Sequence, residues 1–228
     1  MDQLPGLSVV LPCFNEIDNV AEAIDQAGVA ARRVAVRHEV IVVDDGSRDG
    51  TGDRARVLAE RDPAVRVLVH GRNLGYGAAL RSGIAAAQMP WTLLADADLQ
   101  FDLGDLDRLV RLAGSTDLII GRRTQRGDPL HRRLYGAAWN GLVRLAFRLP
   151  VRDVDCAFKL ARTDVLKSLE LKSTGATISP ELVARSIASG ARIAEVAVGH
   201  RARRAGRPTG ARLDVMFRAL RELIALRA

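Results

Sequence analysis

The strongest constraint on the fold is a regular alternation of short, β-branched apolar runs with helix-spaced segments over residues 1–121. The apolar runs, which predict strands, are residues 7–11, 39–43, 65–69, 91–95 and 117–120. Segments with helical spacing of apolar residues, such as 19–33 and 77–88, lie between them. Strands separated by helices predict βαβ units and a mostly parallel sheet flanked by helices, that is, an α/β fold.

The size of the chain limits the number of domains. Its 228 residues, 48% of them hydrophobic, suffice for one sizeable core and are too few for two ordinary domains. No apolar run approaches the ~18 residues of a membrane span, and the N-terminal residues lack the pattern of a secretory signal, so we expect a cytoplasmic protein. Cys13 and Cys156 lie far apart without metal-ligand spacing, which predicts reduced thiols.

The charge of the chain indicates anionic partners. A net charge of +7 suits nucleic acid, a lipid surface or phosphorylated small molecules. Arginines concentrate in residues 122–148 and 201–212. With only 4% aromatic residues and no recognisable nucleic-acid-binding motif, the sequence argues against a nucleic-acid partner.

Polar clusters follow three of the predicted strands. They are residues 12–16, 44–47 and 96–100. A turn or a helix cap would explain any one of them alone. Since parallel strands place their carboxyl ends at one edge of the sheet, where ligands bind, the three clusters together predict one site.

The same loops exclude several classes of enzyme. A dinucleotide-binding dehydrogenase needs G-x-G-x-x-G after the first strand, and a P-loop enzyme needs G-x-x-x-x-G-K-[ST]. Neither motif occurs, and the first strand-end loop has no glycine. A nucleotidyltransferase, which would place a glycine-rich loop at this point, is disfavoured for the same reason.

Four successive motifs resemble those of the family-2 inverting glycosyltransferases of the GT-A fold. They are LPCFNE at 11–16, VVDDGSRDGT at 42–51, RNLGYGAA at 72–79 and DADLQ at 96–100. The similarity is greatest to the dolichol- and polyprenyl-phosphate sugar synthases. It implies a single Rossmann-like GT-A domain over 1–228, with a nucleotide-sugar-binding half at 1–121 and an acceptor-binding half at 122–228. The implied reaction moves a hexose from GDP-mannose or a UDP-sugar to polyprenyl or dolichyl phosphate.

The resemblance also implies a divalent metal ion. Asp98 and Gln100 match the metal ligands, and Asp96 matches a residue that contacts ribose or the ion. Mg²⁺ and Mn²⁺ favour hard oxygen ligands and neutralise a departing diphosphate. In an extended strand end Asp96 and Asp98, two residues apart, would project to the same side and approach one ion.

The donor-binding positions are likewise taken from the resemblance. Asp45 is expected to accept a hydrogen bond from the nucleobase, and Phe14 stands where tyrosine is common, so guanine and uracil both remain open. Arg72 and the glycines after it form either a phosphate contact or a packing turn. The full set implied is Pro12, Phe14, Glu16, Val43, Asp45, Arg72, Asp96, Ala97 and Arg203.

The second half resembles the acceptor side of the lipid-phosphate enzymes. Arg123 and Arg132 match the positions that hold the acceptor phosphate, a role that suits the guanidinium fork. Gly136 replaces the family's serine and Thr209 its lysine. A sugar or small-molecule hydroxyl therefore remains the alternative acceptor, and Asp155 is then the candidate base.

Two segments combine apolar and basic faces. Residues 134–148 and 213–227 have the pattern of helices that lie on a bilayer, although such faces also pack on a protein core. A peripheral position at the inner face of the membrane is therefore compatible with the sequence.

Overall fold

A seven-stranded sheet organises the residues that the computed structural model describes, which are 3–126, 140–141, 144 and 149–202. Its strand order is β3-β2-β1-β4-β6-β5-β7, and β6 alone runs antiparallel to its neighbours. The strands are β1 (Leu7–Cys13), β2 (His38–Asp44), β3 (Val65–Val69), β4 (Trp91–Leu94), β5 (Leu118–Arg126), β6 (Lys159–Arg162) and β7 (Ile193–His200). The helices are α1 (Val20–Val34), α2 (Thr51–Ala59), α3 (Tyr76–Ala86), α4 (Leu106–Val110), α5 (Thr163–Ser168) and α6 (Ile178–Ala188), and a 3₁₀ turn covers Leu103–Asp105.

Burial on both faces explains the sequence of the central strands. Every residue of β1 is buried, and so is every residue of β2 after His38. Strands covered by helices on both sides are nearly continuous apolar runs, since neither face meets water. The covering helix α1 buries residues three or four apart, among them Ile24, Ala27 and Ala31, as an amphipathic helix should.

The order of the strands creates a crevice at one edge of the sheet. The chain proceeds from β1 to β2 and β3 on one side, and then returns to place β4 on the other side of β1. Such a reversal of strand order marks the position where open α/β sheets bind ligands, beyond the carboxyl ends of the strands. The loops after β1, β2 and β4 therefore surround this crevice.

The reversed strand β6 brings the second half of the chain to the same crevice. Lys159, at the start of β6, pairs with Leu94, at the end of β4. The segment before β6, residues 151–158, therefore lies at the edge where β4 ends. The carboxyl end of β5 lies at this edge too, because β5 and β4 are each antiparallel to β6.

The mostly parallel sheet flanked by helices is confirmed. The predicted bounds of the third strand agree with β3, whereas β5 is longer than predicted and extends to Arg126. The antiparallel β6 was not predicted. The predicted fourth strand was one residue too long, since β4 ends at Leu94. No helix of the described segments is long and apolar enough to cross a bilayer.

Candidate functional site

Three acidic loops converge around the end of β1. The thiol of Cys13, the last residue of β1, lies close enough to be affected by the charge of each loop. Burial raises the pKa of Cys13 well above its usual value, and the negative charges of Glu16, Asp44 and Asp96 raise it further. One carboxylate from each loop thus lies within electrostatic range of one thiol. The structure brings the three predicted clusters together.

The predicted base and ribose loop begins on β1 and β2. Pro12 pairs in register with Val43, so the two positions are neighbours at the crevice. Phe14 is 38% exposed, which leaves an aromatic face at the surface. The carboxylate of Glu16 accepts a hydrogen bond from Nδ2 of Asn19 at 2.6 Å. These positions therefore lie together beside the crevice, and their contact with base and ribose stays a prediction.

Hydrogen bonds fasten the loop after β1 to the loop after β2. The Asn15 amide donates to Oγ of Ser47 at 2.9 Å, and the Arg48 amide donates to Oδ1 of Asn15 at 3.0 Å. The Glu16 amide donates to Oγ1 of Thr51 at 2.8 Å. Asn15 has a left-handed φ of 55°, a conformation that asparagine tolerates better than most residues. Hydrogen bonds within the protein therefore hold this wall of the crevice together.

The two adjacent acids of the second motif have structural partners. Asp44 is buried, and its Oδ1 accepts the amide of Ser47 at 3.0 Å. A Cβ atom at Gly52 would overlap the Asp44 carboxylate, so a larger residue there would require that carboxylate to shift. Asp45, 3% exposed, accepts hydrogen bonds from the amides of Leu74 at 2.9 Å and Gly75 at 2.8 Å. A nucleobase contact at Asp45, which stays a prediction, would share a carboxylate that already fixes the loop after β3.

His70 joins the carboxylate of Asp45 to helix α3. Its Nδ1 lies 2.7 Å from Oδ1 of Asp45, and its Nε2 lies 2.9 Å from Oγ of Ser82. The structure gives His70 a specific role, since its ring and the Leu74 amide both bind Oδ1 of Asp45. A histidine directly after a strand was the only sequence signal for it.

The glycines before and within α3 pack against the second half of the chain. The Gly77 amide donates to the carbonyl of Thr174 at 2.8 Å. Gly75 has a φ of 101°, and a Cβ atom at Gly75 or Gly77 would overlap the backbone of residues 173–175. The packing alternative is therefore favoured for these glycines, because their amides already have protein acceptors. Arg72, which is exposed, remains the phosphate-binding candidate of this motif.

The acidic residues after β4 lie in a turn. Oδ1 of Asp96 accepts a hydrogen bond from the Tyr76 hydroxyl at 2.9 Å. Asp98 is 8% exposed, and its Oδ1 accepts the Gln100 amide at 3.1 Å. Nε2 of Gln100 donates to the carbonyl of Arg201 at 3.0 Å, and this bond does not use the amide oxygen that would bind a metal.

The prediction that Asp96 and Asp98 project to the same side assumed that this strand end is extended. That assumption was wrong. Ala97, which is buried, and Asp98 form a turn, and Leu99 has a left-handed φ of 61°. The bond from the Gln100 amide to Asp98 bends the chain in this way. A leucine in the left-handed region is strained, and such strain clusters at functional sites. The strained turn is therefore an independent sign of a site at this loop.

The chemistry of the turn fits a metal that shares its ligands with a substrate. Within the described segments, no group of three or more His, Cys, Asp or Glu side chains forms a complete metal cage. Asp96, Asp98 and Gln100 supply two carboxylates and an amide oxygen. Mg²⁺ is commonly held by one or two carboxylates together with substrate phosphates. The residues present therefore fit an ion that binds together with a diphosphate.

Burial and nearby charge raise the pKa of the hydroxyl that contacts Asp96. Burial raises the pKa of Tyr76 well above its usual value, and the charges of Asp96 and Asp98 add to the effect. The phenol therefore stays protonated and donates its hydrogen to Asp96. Asp98 acts on Tyr76 as well, which places both carboxylates near the start of α3.

Arg123 has a partner that the sequence did not predict. Its Nε and Nη2 donate to the two carboxylate oxygens of Asp153 at 2.8 Å and 2.7 Å. Burial disfavours the charged guanidinium, but the bonds and charge of Asp153 outweigh it and raise the pKa of Arg123 above its usual value. An acceptor phosphate, the predicted partner, would have to share Arg123 with Asp153.

Asp155 lies half-buried in the segment before β6. Its Oδ2 is 3.5 Å from Nδ2 of Asn140, whose Oδ1 accepts the Val154 amide at 2.9 Å. Lys159, one position after Phe158, is 1% exposed and donates to the carbonyl of Cys156 and to Oγ of Ser179. Burial lowers the pKa of Lys159. The segment is thus fixed, with Asp155 at the edge shared with the acidic turn.

A family comparison decides the classification. The model of the family described as "Glycosyl transferase family 2" matches residues 8–169. The chain belongs to glycosyl transferase family 2. The family prediction made from the four motifs is thereby confirmed.

Several curated proteins resemble the chain over most of its length. Dodecaprenyl-phosphate galacturonate synthase of Rhizobium johnstonii is 33% identical over 204 residues, which are 88% of this chain and 60% of that protein. Undecaprenyl-phosphate 4-deoxy-4-formamido-L-arabinose transferase of Edwardsiella ictaluri is 30% identical over 203 residues, 88% of this chain and 61% of that protein. The chain spans about three fifths of the length of these two relatives. An uncharacterized glycosyltransferase of Mycobacterium tuberculosis is 33% identical, with 89% of this chain and 88% of that protein covered.

A solved structure shares the fold. Glucosyl-3-phosphoglycerate synthase from Mycobacterium tuberculosis, in complex with Mn²⁺, UDP and glucosyl-3-phosphoglycerate, superposes with a TM-score of 0.74 at 24% identity. The match covers 97% of this chain and 78% of that chain. The predicted GT-A architecture of this family-2 chain is therefore confirmed.

Some predicted positions lie outside the described residues. These are Arg132, Gly136, Arg203, Thr209 and the membrane-compatible segment 213–227, together with most of 134–148. Their roles stay predictions. The sequence missed Tyr76, His70 and Glu181, whose contacts are made between distant elements.

Proposed function

We propose that this protein is a metal-dependent inverting glycosyltransferase that moves a hexose from a nucleoside-diphosphate sugar to polyprenyl phosphate. The observation that carries the proposal is the strained acidic turn of Asp96 and Asp98 at the crevice beside β1. The curated relatives that act on dodecaprenyl and undecaprenyl phosphate, as their names state, support this acceptor.

The donor nucleotide fits the wall formed by the first two loops. Phe14 presents an exposed aromatic face on which a base would stack. Pro12 and Val43 are neighbours in register and would flank the base and ribose. Arg72 is exposed next to this wall and suits a phosphate oxygen. Because hydrogen bonds of the protein itself fasten the loops to each other, little ordering entropy is lost on binding.

The acidic turn is where Mg²⁺ or Mn²⁺ would be held. Asp98 and Gln100 are the proposed ligands, with Asp96 as a further ligand or a ribose contact. The ion supplies neutralisation of the negative charge that develops on the departing diphosphate. The protein contributes the orientation of these side chains, through the Tyr76 hydroxyl at Asp96 and the Gln100 amide at Asp98.

The acceptor would enter from the side of the reversed strand. The segment before β6 and the end of β5 place Asp155 and Arg123 at the same edge as the acidic turn. A phosphate monoester is already an anion near neutral pH, with a second pKa of ~6, so no protein base is needed to make it nucleophilic. Attack from the face of the sugar opposite to the diphosphate inverts the anomeric centre. Arg132 is the proposed second phosphate contact.

A hydroxyl acceptor is the second candidate. The pairing of Arg123 with Asp153 favours it, because that guanidinium is already neutralised by a carboxylate. A hydroxyl has to lose its proton as it attacks, and Asp155 would accept that proton. Its position before β6, next to Asn140, is compatible with this role.

A lipid-linked acceptor requires access to a membrane surface. We propose a peripheral association with the cytoplasmic face of the membrane. The net charge of +7 favours anionic lipid, and each basic residue near such a surface contributes about 1 kcal/mol. Sedimentation with liposomes, with and without anionic lipid, tests this part of the proposal.

Product partitioning separates the two acceptors. The protein is incubated with Mn²⁺, labelled UDP- or GDP-hexoses, polyprenyl phosphate and a panel of free sugars and small hydroxyl compounds, and the products are extracted into organic solvent. Metal-dependent label in the organic phase, absent with Asp98→Asn, supports transfer to the lipid. Label found only in a new water-soluble glycoside supports the hydroxyl acceptor. Neither transfer nor donor hydrolysis with any of these sugars would contradict both candidates.

A further inference from the structure

The hydroxyl of Tyr76 reaches across the crevice to the acidic turn. Tyr76 is the first residue of α3, and its hydroxyl donates to Oδ1 of Asp96 at 2.9 Å. The two residues are twenty positions apart and belong to different elements of the fold. Since an ionised carboxylate can only accept, the phenol is the donor and one oxygen of Asp96 is directed toward α3.

The backbone on both sides of Tyr76 is held by the second half of the chain. The Gly77 amide donates to the carbonyl of Thr174 at 2.8 Å. A Cβ atom at Gly75 or Gly77 would overlap the backbone of residues 173–175, so the two segments touch without intervening side chains. The start of α3 therefore cannot shift without moving this second segment.

The second segment is itself anchored to α6. Glu181, 2% exposed, accepts the amides of Lys172 at 2.9 Å and Ser173 at 2.8 Å. Nε of Arg185 donates to Glu181 at 2.8 Å and balances its charge. A continuous series of hydrogen bonds and close contacts thus runs from Glu181 on α6 to Tyr76 on α3.

We propose that Tyr76 is a positioning residue that sets the orientation of Asp96 for the metal and diphosphate, under the control of the segment 172–175. This inference rests on the proposed function, since it concerns the same metal site. Residues that hydrogen-bond a metal-ligating side chain and orient it change metal affinity or activity by about 10- to 100-fold when they are removed. The expected consequence is that part of the predicted acceptor half helps to set the geometry of the donor site.

Metal-dependent nucleotide binding gives a test that does not need turnover. The wild type and Tyr76→Phe are titrated with MnCl₂ in the presence of UDP or GDP, and binding is followed by calorimetry. We expect the apparent Kd for Mn²⁺ to rise about 10-fold in Tyr76→Phe, because Asp96 loses its orienting bond. The matched control is Thr92→Val, which removes a buried hydroxyl bonded to Thr163 at 2.7 Å, and its Mn²⁺ affinity should match the wild type.

A second variant keeps the test decisive if Tyr76→Phe does not fold. Glu181→Gln loosens the segment 172–175 without touching the crevice, and it should weaken Mn²⁺ binding in the same direction by a smaller factor. Unchanged Mn²⁺ affinity in Tyr76→Phe would overturn this inference alone. Equal losses in Tyr76→Phe and Thr92→Val would overturn it too, because the effect would then be a general loss of stability. A wild type without metal-dependent nucleotide binding would overturn the proposed function itself.

Discussion

The guanidinium of Arg123 and the carboxylate of Asp153 form a two-point ion pair, with bonds of 2.8 Å and 2.7 Å. Only 16% of the Arg123 side chain and 3% of the Asp153 side chain are exposed. The Asp153 amide also donates to Glu195 at 2.9 Å, so the pair connects β5, the segment before β6, and β7. It therefore holds the proposed acceptor side of the crevice together.

Loss of this pair should destabilise the protein. Arg123→Ala removes the guanidinium that balances the buried carboxylate of Asp153, and we expect the free energy of unfolding to fall by about 3 kcal/mol. Urea denaturation measures the change. The matched control is Arg192→Ala, since Arg192 binds Asp117 with the same two-point geometry at an exposed site. Exposed pairs contribute little, so the Arg192 variant should lose much less stability, and equal losses would contradict the importance of burial.

The metal assignment is tested at Asp98. Asp98→Asn keeps the size of the side chain and an oxygen that can accept the Gln100 amide, but it removes the charge. Transfer activity should fall more than about 100-fold, because several kcal/mol of charge stabilisation are lost. Thermal unfolding should show an intact fold. Asp107→Asn, on α4 and paired with Arg33, serves as the control and should retain activity. Full activity of Asp98→Asn would refute the assignment.

The anchor at Glu181 should depend on pH. Burial raises the pKa of Glu181, but the amides of Ser173 and Lys172 outweigh burial and lower the pKa below its ordinary value of 4.5. A pKa that is lower in the folded state gives a stabilising contribution that is complete above 4.5. This contribution is lost as the pH falls through the folded-state pKa. The stability difference between the wild type and Glu181→Gln should therefore shrink as the pH is lowered from 6 to about 3.

Denaturation of both proteins at a series of pH values measures that difference. A difference that stays constant over this range would show that the ionised carboxylate of Glu181 is not what anchors residues 172 and 173.

The close packing at the start of α3 leads to a prediction about Gly77. Gly77→Ala places a methyl group against backbone atoms of Ser173 and Thr174. Backbone atoms cannot move aside as the end of a flexible side chain can. We expect a loss of about 1–3 kcal/mol in stability, as for other overpacked positions, and weaker nucleotide binding. Gly71→Ala, where a Cβ atom meets nothing within 4 Å, is the control. If both variants behave alike, the contact between α3 and residues 173–175 is unimportant.

The sequence predicted the features that depend on local patterns. Periodicity located the strands β1 to β5, and the positions of polar clusters after strands located the crevice. It did not predict β6, since four residues with a buried lysine at their start give no clear strand pattern. The turn at Asp98 was also missed, because alternation along a strand says nothing about a carboxylate that bonds the backbone two residues later.

The sequence did not predict the contacts between distant elements, and the reason is a different one. Asp45 was assigned to a nucleobase, yet in the structure it binds His70 and the loop after β3. Arg123 was assigned to a phosphate, yet it binds Asp153 thirty residues away. Motif matching attributes a charged side chain to the ligand, whereas folding also requires each buried charge to have a partner. Only the folded structure shows which protein group each of these charged side chains binds.

The direction of β6 has a consequence for how such a protein can diversify. Because this strand starts at the crevice, the segment proposed to face the acceptor precedes it, and α5 follows its far end. Insertions or substitutions in the connection before β6 would therefore alter acceptor preference. The pairing of β6 with β4 and β5 would stay unchanged. A single antiparallel strand thus separates the proposed acceptor segment from the sheet that positions the acidic turn.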